Sequence, residues 1–162
     1  MWNTCYFLLY NWTPSTITIF KKWRVFLLKL FGAKIPYDAL VYSSARIWAP
    51  WNLVLGKLCC VGPKVKIYNQ GRITIGSHTI ISQHAHICAS THDFTKPDFP
   101  LILKPITIGN AVWIAADAFI GPGVQIGDQA IVAARSVVVK NVEANQIVGG
   151  NPAKKIKTRD AK

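Results

Sequence analysis

The chain has 162 residues, with 19 Lys plus Arg against 7 Asp plus Glu, which gives a net charge of +12. That length suits one domain and is too short for two comfortable ones. The positive charge favours anionic partners such as phosphates, an acidic membrane face or nucleic acid. So few carboxylates argue against a mechanism that needs a close carboxylate pair, and proton transfer would more naturally fall to one of the four histidines.

The four cysteines lack the paired spacing of a zinc site, so reduced thiols in a cytoplasmic protein are expected. The first twelve residues are apolar, but no charged region precedes them and no small-residue cleavage site follows promptly, which argues against a signal peptide. No nucleotide-binding loop and no nucleic-acid-binding module is recognised in the sequence. We therefore expect no nucleic-acid partner.

An amphipathic helix is predicted over residues 17–31, within an N-terminal segment of residues 1–38. The segment is too short and too charged to span a bilayer. We expect it to cap or flank the repeat that follows, with contact to an anionic membrane surface as the alternative. The predicted apolar face repeats at helical spacing and consists of Phe20, Trp23, Phe26, Leu27, Leu30 and Phe31.

A period of six organises the rest of the chain. The aliphatic positions of this frame, with two-residue insertions allowed near Leu53 and Ile73, are Val41, Ile47, Leu55, Val61, Ile67, Ile75, Ile81, Ile87, Ile108, Ile114, Ile120, Ile126, Val132 and Val138. Six fits neither the helix period nor simple strand alternation. It does fit a short strand plus a corner, three of which close one coil of a triangular prism.

The sequence therefore predicts an all-β fold, a parallel β-helix of four to five coils over residues 39–148, followed by a basic tail, 149–162. A β-sandwich is the less favoured alternative, because its turn signals are irregularly spaced. A small residue follows most of the aliphatic positions. We expect glycine there because the backbone turns sharply and glycine tolerates unusual conformations.

One long interruption separates Ile87 from Ile108, where the frame predicts six residues. It predicts an excursion loop over residues 93–107, stiffened by three prolines. Repeat proteins carry such insertions on their binding face. His92 stands at the root of the loop and is the candidate general base, although a solvated loop histidine would look the same in the sequence.

Four strings resemble the hexapeptide-repeat acyltransferases of the galactoside and maltose O-acetyltransferase group, and within it the WcaF-like colanic acid biosynthesis acetyltransferases. The resemblance runs from about Trp23 to Arg159 and implies a left-handed coil and a homotrimer with active sites between subunits. It also implies acetyl transfer from acetyl-CoA to a nucleotide- or lipid-linked sugar in exopolysaccharide or lipopolysaccharide synthesis. The strings are Trp48-Ala49-Pro50-Trp51-Asn52-Leu53, Thr91-His92-Asp93-Phe94 with Phe99-Pro100-Leu101, Ile106-Thr107-Ile108-Gly109-Asn110-Ala111-Val112-Trp113-Ile114 and Gly150-Asn151-Pro152-Ala153-Lys154.

The resemblance also assigns roles to individual residues. His92 matches the catalytic histidine, and the amide of Ala116, with that of Ala115, would bind the oxyanion. Asn69 and Gln70 fall where galactoside enzymes have acidic acceptor-binding residues, and Asp93 would either touch the sugar or orient the loop. The expected CoA contacts are Trp113, Ala134, Lys140, Lys154 and Lys157.

The sequence leaves two alternative functions open. Carbonic anhydrases of the γ class use the same fold with three zinc-binding histidines, two of them five residues apart. No two histidines here have that spacing, so no metal is expected. The second alternative is a non-catalytic β-helix that serves as a scaffold or assembly subunit.

Overall fold

The computed structural model describes residues 1–15 and 17–160, in which two helical elements precede the repeat. Helix α1 (Trp2–Cys5) continues into a π-helical turn (Tyr6–Tyr10), which the sequence did not predict. Helix α2 (Thr18–Leu30) confirms the predicted helix. Within the described ranges, none of the helices combines the length and apolar character needed to cross a membrane.

The buried face of α2 differs from the predicted one. Arg24, Val25, Leu27 and Leu28 are buried, whereas the predicted face residues Trp23, Phe26 and Leu30 are exposed. The difference arises from Arg24, which hydropathy assigns to the polar face. The prediction was wrong because hydropathy does not anticipate the acceptors that this side chain finds inside the protein.

Those acceptors are all oxygen atoms of neighbouring segments. The Nε atom of Arg24 donates to the Val41 carbonyl at 2.9 Å, and Nη1 donates to Thr13 Oγ1 at 3.0 Å and to the Pro14 carbonyl at 3.1 Å. Nη2 donates to the Ser15 carbonyl at 3.3 Å. A buried charge is tolerated only when it is hydrogen-bonded in this way. The guanidinium thus ties α2, the segment before it and the first strand together.

The repeat forms a prism whose three faces are sheets of parallel strands, as predicted. Face A contains β3 (Leu53–Leu55), β6 (Ile73–Ile75), β11 (Ile106–Ile108) and β14 (Gln125–Ile126). Face B contains β1 (Leu40–Val41), β4 (Cys60–Val61), β7 (Ile80–Ile81), β12 (Trp113–Ile114), β15 (Ile131–Val132) and β17 (Gln146–Gly150). Face C contains β2 (Arg46–Ile47), β5 (Lys66–Tyr68), β8 (His86–Cys88), β13 (Phe119–Ile120) and β16 (Val137–Val138).

The coils number about five, and their register follows the hexad frame. Val41, Val61 and Ile81 lie on one another in face B, one coil of 20 residues apart. Later coils are shorter, since Ile114 pairs with Val132 18 residues further on. The longer coils contain the two-residue insertions, which add Leu53 and Ile73 to face A as a further buried pair. The insertions predicted from the sequence are therefore confirmed.

The small residues after the aliphatic positions are required for space rather than for conformation. A Cβ atom on Gly76 would lie 2.5 Å from the Gly109 carbonyl carbon, and one on Gly127 would lie 2.4 Å from the Ala144 nitrogen. Neither glycine has a positive φ, so the predicted reason was wrong. Positive φ values occur two residues further along, at the corners before and after face B, in Leu58, Lys64, His78, His84, Ala111, Asp117, Gln129, Arg135 and Asn145.

The excursion is a β-hairpin whose limits differ from the predicted loop 93–107. Strand β9 (Ser90–His92) pairs antiparallel with β10 (Leu101–Leu103), and Ile106 is already back in face A beside Ile73. The chain therefore leaves the prism after β8 and returns at β11. A hairpin can begin before the hexad frame ends because its ladder uses backbone groups, which leave no trace in the periodicity.

The two ends of the repeat also extend beyond the predicted limits. Lys34 forms a parallel bridge with Val54, so the coil begins within the segment assigned to residues 1–38. Strand β18 (Ala153–Thr158) pairs antiparallel with β17, within the segment predicted as a basic tail. The end of that predicted tail, residues 161–162, lies outside the described residues.

Candidate active site

His92 lies in β9, opposite Leu101, and its side chain is exposed. Its Nδ1 atom is 2.5 Å from the carbonyl oxygen of Phe99. Because a carbonyl oxygen only accepts hydrogen bonds, Nδ1 must carry the proton. The lone pair of the neutral ring is then on Nε2, which is the atom that a general base would use.

The loop between β9 and β10 is held in shape by its own hydrogen bonds. Asp93 Oδ1 accepts from the Thr95 amide at 3.1 Å and from the Thr95 hydroxyl at 2.6 Å. These bonds hold the pKa of the Asp93 carboxyl below its usual value. Phe99 adopts a φ of +46°, uncommon for a residue with a side chain, and this conformation aims its carbonyl at the imidazole. Of the two roles left open for Asp93, the geometry favours loop orientation.

Asn69 and Gln70 occupy the corner between faces C and A, directly below the root of the hairpin. Asn69 is fully buried, and its amide group bonds to both the nitrogen and the carbonyl of Ala49. The acceptor-binding role expected for Asn69 is therefore contradicted, because no side-chain atom is left to face a sugar. Gln70 Oε1 is buried and has no hydrogen-bond partner among the described residues.

The two amides considered for the oxyanion differ in their partners. The Ala115 amide donates to the Val132 carbonyl at 2.9 Å, so it is unavailable and that part of the prediction was wrong. Ala116 is half-buried at the corner between faces B and C. Its amide donates to no protein acceptor in the described part of the chain, whereas its carbonyl accepts from the Arg135 amide at 2.9 Å. Ala116 therefore retains an amide that could bind an oxyanion.

The residues expected to contact CoA fall into two groups. Trp113 points outward from face B with about half of its side chain exposed. Ala134 lies one coil above Ala116, at the same corner between faces B and C. Lys154 and Lys157 belong to β18, which flanks the last strand of face B, and both are exposed. Lys140 lies apart from these, at the corner between faces C and A.

His92 belongs to this second corner, because its hairpin leaves the prism there. Face C thus separates His92 from Ala116 within one chain. The candidate base and the candidate oxyanion donor are at opposite edges of that face, each in a local geometry that suits its role. The hexad frame could have predicted this separation, since it assigns every residue to a face or a corner.

A cavity that the sequence reasoning missed lies between face C and α1 with its π-helical extension. Its volume is about 550 Å³, and its outer-face lining includes Arg46, Trp48, Lys66, Tyr68 and His86. The coil length of 20 residues could have predicted this lining, because it stacks residues 46, 66 and 86 on one face. Within the residues that the structure describes, no group of three or more His, Cys, Asp or Glu side chains could hold a metal ion.

A parallel β-helix built from hexads is the fold of a class of acyl-transferring enzymes, and comparisons with known proteins place this chain in that class. The family model for the bacterial transferase hexapeptide (six repeats) matches residues 105–140. The chain is 42% identical over 159 residues to the putative colanic acid biosynthesis acetyltransferase WcaF of Escherichia coli K12, covering 98% of this chain and 86% of that protein. It is 54% identical over 118 residues to a chloramphenicol acetyltransferase of Agrobacterium fabrum, covering 67% of this chain and 52% of that one.

Among solved structures, a galactoside acetyltransferase in complex with coenzyme A superimposes with a TM-score of 0.87 at 25% identity, covering 98% of this chain and 78% of that one. The chain therefore belongs to the hexapeptide-repeat acetyltransferase family. It is an acetyltransferase that uses acetyl-CoA as its cosubstrate.

The contact between His92 and Phe99 makes a prediction about the ring itself. In neutral His92 the proton should be on Nδ1, because the Phe99 carbonyl can only accept. Long-range ¹H–¹⁵N correlation spectra of protein labelled at histidine would identify the tautomer, with His92→Asn used to assign the signal. A ring protonated on Nε2 would contradict this geometry.

Proposed function

We propose that the protein transfers an acetyl group from acetyl-CoA to a hydroxyl of a sugar in a polysaccharide precursor, with His92 as general base. The observation that carries the proposal is the bond from His92 Nδ1 to the Phe99 carbonyl. It fixes the ring and leaves Nε2 as the basic atom. A sugar hydroxyl is a weak nucleophile at neutral pH, so its proton must be removed as the new bond forms.

The proposed reaction proceeds in two balanced stages. First, Nε2 of His92 takes the hydroxyl proton while the sugar oxygen attacks the thioester carbonyl, and the oxyanion accepts a hydrogen bond from the Ala116 amide. Collapse of this intermediate then breaks the carbon–sulfur bond, and the imidazolium returns the proton to the leaving CoA sulfur. The amide is already directed by the corner of the prism, so it need not reorganise during the reaction.

We propose that the complete site forms between two copies of the chain, in a homotrimer. The support is the separation of His92 from Ala116 by face C. A second copy whose face B lies against the hairpin would bring both groups to one thioester. Trp113 and Ala134 would then flank the CoA arm, and Lys154 and Lys157 could reach its phosphates. Lys140, at the same corner as the hairpin of His92 but two coils further on, would approach the same CoA from the first copy.

The outer side of face B supports this assembly. Along its six strands the outward residues are all apolar, although this side lies away from the core. They are Leu40, Cys60, Ile80, Trp113, Ile131 and Ile147. In contrast, three of the four corresponding positions on face A are polar, since Thr74, Thr107 and Gln125 follow Val54. A continuous apolar stripe on one face of a repeat is typical of an interface between subunits.

A sugar acceptor is supported by the extent of the match to the colanic acid relative, which covers nearly the whole chain. Chloramphenicol, named for a second relative, is the alternative acceptor, but that match omits about a third of this chain. Because acetyl-CoA is made in the cytoplasm, we propose a cytoplasmic site of action. A non-catalytic scaffold would instead bind no CoA as a folded trimer.

We further propose that the N-terminal segment contacts an anionic membrane. Trp23 Nε1 donates to the Leu9 carbonyl at 3.0 Å, which joins α2 to the π-helical turn in one surface. The first acidic residue of the chain is Asp38, so every charged side chain of α2 is basic, and Lys22 and Lys29 are the exposed ones. Apolar side chains flanked by lysines suit the interface of an anionic bilayer. This N-terminal apolar surface consists of Phe7, Leu8, Leu9, Trp12, Ile17, Ile19, Trp23, Phe26 and Leu30.

Replacement of the base should stop acetyl transfer without loss of CoA binding. Asn can still donate to the Phe99 carbonyl but cannot take a proton, so His92→Asn should lower kcat by about 10²–10⁴-fold. Thiol release from acetyl-CoA with nucleotide- and lipid-linked sugars measures turnover, and calorimetry measures CoA affinity. The matched control is His84→Asn, at an exposed corner where φ is +61° and Asn is tolerated. Unchanged turnover in His92→Asn would remove the general-base assignment.

The trimer prediction is specific to one face. Ile80→Lys introduces a charge into the apolar stripe of face B, so light scattering should detect a fall from three times the chain mass toward the monomer. Thr74→Lys alters the outward side of face A in the same coil and should leave the mass unchanged. A trimer that persists in Ile80→Lys would mean that face B is not the interface.

Membrane contact can be tested by sedimentation with liposomes. The chain should bind vesicles that contain phosphatidylglycerol and bind phosphatidylcholine vesicles weakly, and Ile19→Asn with Phe26→Asn should abolish binding. Leu58→Asn removes an equally exposed apolar side chain from a corner of the prism and serves as the control. Equal binding by the double variant, or association of copies through this surface without lipid, would contradict the proposal.

A further inference from the structure

Two cationic side chains are stacked on the outer side of face C. Arg46 lies in register with Lys66, and Lys66 lies in register with His86 one coil further on. Neighbouring parallel strands are about 4.8 Å apart, and like charges at facing positions destabilise a sheet. Burial, and then Lys66, lower the pKa of His86. At neutral pH the local positive charge therefore comes from Arg46 and Lys66.

An aromatic pair lies two residues further along the same two segments of the chain. Trp48 and Tyr68 have ring centroids 5.0 Å apart, and Cys88 continues the stack. About half of the Trp48 side chain is exposed, so a flat apolar surface borders the cations. Aromatic walls with a few fixed polar groups are typical of small-molecule sites.

The opposite wall of the cavity is the N-terminal segment, and it is firmly attached. Trp2 is buried and its Nε1 atom donates to the Ile47 carbonyl of face C at 2.7 Å. Tyr6 is buried against Arg46, and burial raises the pKa of its hydroxyl while Arg46 opposes that shift. Phe7 lines the cavity and is also part of the N-terminal apolar surface. The cavity is therefore preformed and opens next to that surface.

The cavity carries no balancing charge, because no Asp or Glu is among the described residues that line it. Its volume of about 550 Å³ is that of a typical small-molecule site. Cys88, at its edge, is four residues before His92 along the chain. At about 3.3 Å per residue, the cavity edge is at most roughly 13 Å from the candidate base.

We propose that this cavity binds the diphosphate of a phosphorylated sugar, with Arg46 and Lys66 contacting phosphate oxygens and Trp48 and Tyr68 packing against the sugar. The bound anion would relieve the repulsion between the stacked cations. Arg forms bidentate bonds to phosphate, and Lys adds a point charge. Identification of this sugar as the acetyl acceptor rests on the proposed function. Binding of the diphosphate does not.

Calorimetry on the full chain tests the proposal, with saturating CoA present to occupy the cosubstrate site. The probes are inorganic diphosphate, uridine diphosphate glucose and farnesyl diphosphate. The double variant Arg46→Gln with Lys66→Gln should lower the affinity for each bound diphosphate by at least tenfold, or about 1.4 kcal/mol, because two charge-assisted contacts are lost. The control is Lys57→Gln with Arg72→Gln, which removes the same charge from exposed positions outside the cavity.

Trp48→Ala separates the sugar contact from the phosphate contact. This variant should lower the affinity for uridine diphosphate glucose and leave the affinity for inorganic diphosphate unchanged. Tighter binding of the nucleotide sugar than of farnesyl diphosphate would support a nucleotide-linked ligand, and the reverse order a lipid-linked one. Equal affinity in the Arg46/Lys66 double variant and the wild type, or binding of no probe, would overturn the proposal. Calorimetry measures binding and not acetyl transfer, so the two proposals can fail separately. A protein that binds diphosphate but shows no turnover in the acetyl-transfer assay would refute only the proposed reaction.

Discussion

The stacking of coils at backbone hydrogen-bonding distance is the constraint on which the rest of the structure depends. Each residue lies on its counterpart one coil below, so the sequence repeats whatever that position requires. Aliphatic side chains fill the interior because they meet only each other there. Glycine or alanine follows because the next backbone is too close for a larger group, as at Gly76. The same stacking places outward residues beside one another, so that face B carries an apolar stripe and the first two coils of face C carry Arg46 beside Lys66.

Chemistry in such a fold must come from departures from the repeat. The hairpin of β9 and β10 is one departure, and its short loop holds His92 through a carbonyl rather than through a second side chain. The Ala116 amide is the other resource, because its nitrogen donates to no protein acceptor in the described part of the chain. A monomer separates the two across face C. Assembly is therefore part of the proposed catalytic site.

The sequence predicted those features that depend on position within the hexad. Spacing can be read from the sequence, and it predicts the buried aliphatic residues, both insertions, α2 and the site of the excursion. It failed where a contact joins distant segments. Arg24 looks like a surface cation until Val41 and the Thr13–Ser15 segment supply acceptors. Asn69 looks like a ligand-binding polar residue until Ala49, one coil away, occupies its amide. Periodicity places Ala49 one coil from Asn69 but does not show that their polar groups bond, and it gives no sign of the acceptors of Arg24.

The N-terminal segment gives this prism its particular character. Arg24 and Trp2 attach it to the repeat by hydrogen bonds to strand carbonyls, Val41 in face B and Ile47 in face C, so its outer surface is fixed relative to both faces. Phe7 belongs to both the N-terminal apolar surface and the cavity lining, and Cys88, which also lines the cavity, is four residues before His92 along the chain. A lipid-linked sugar diphosphate would meet these regions in the order of its own parts. The lipid would lie nearest the apolar surface, the diphosphate between Arg46 and Lys66, and the sugar toward the hairpin. This order explains why an enzyme that acts on such an acceptor would keep two stacked cations that destabilise the free protein.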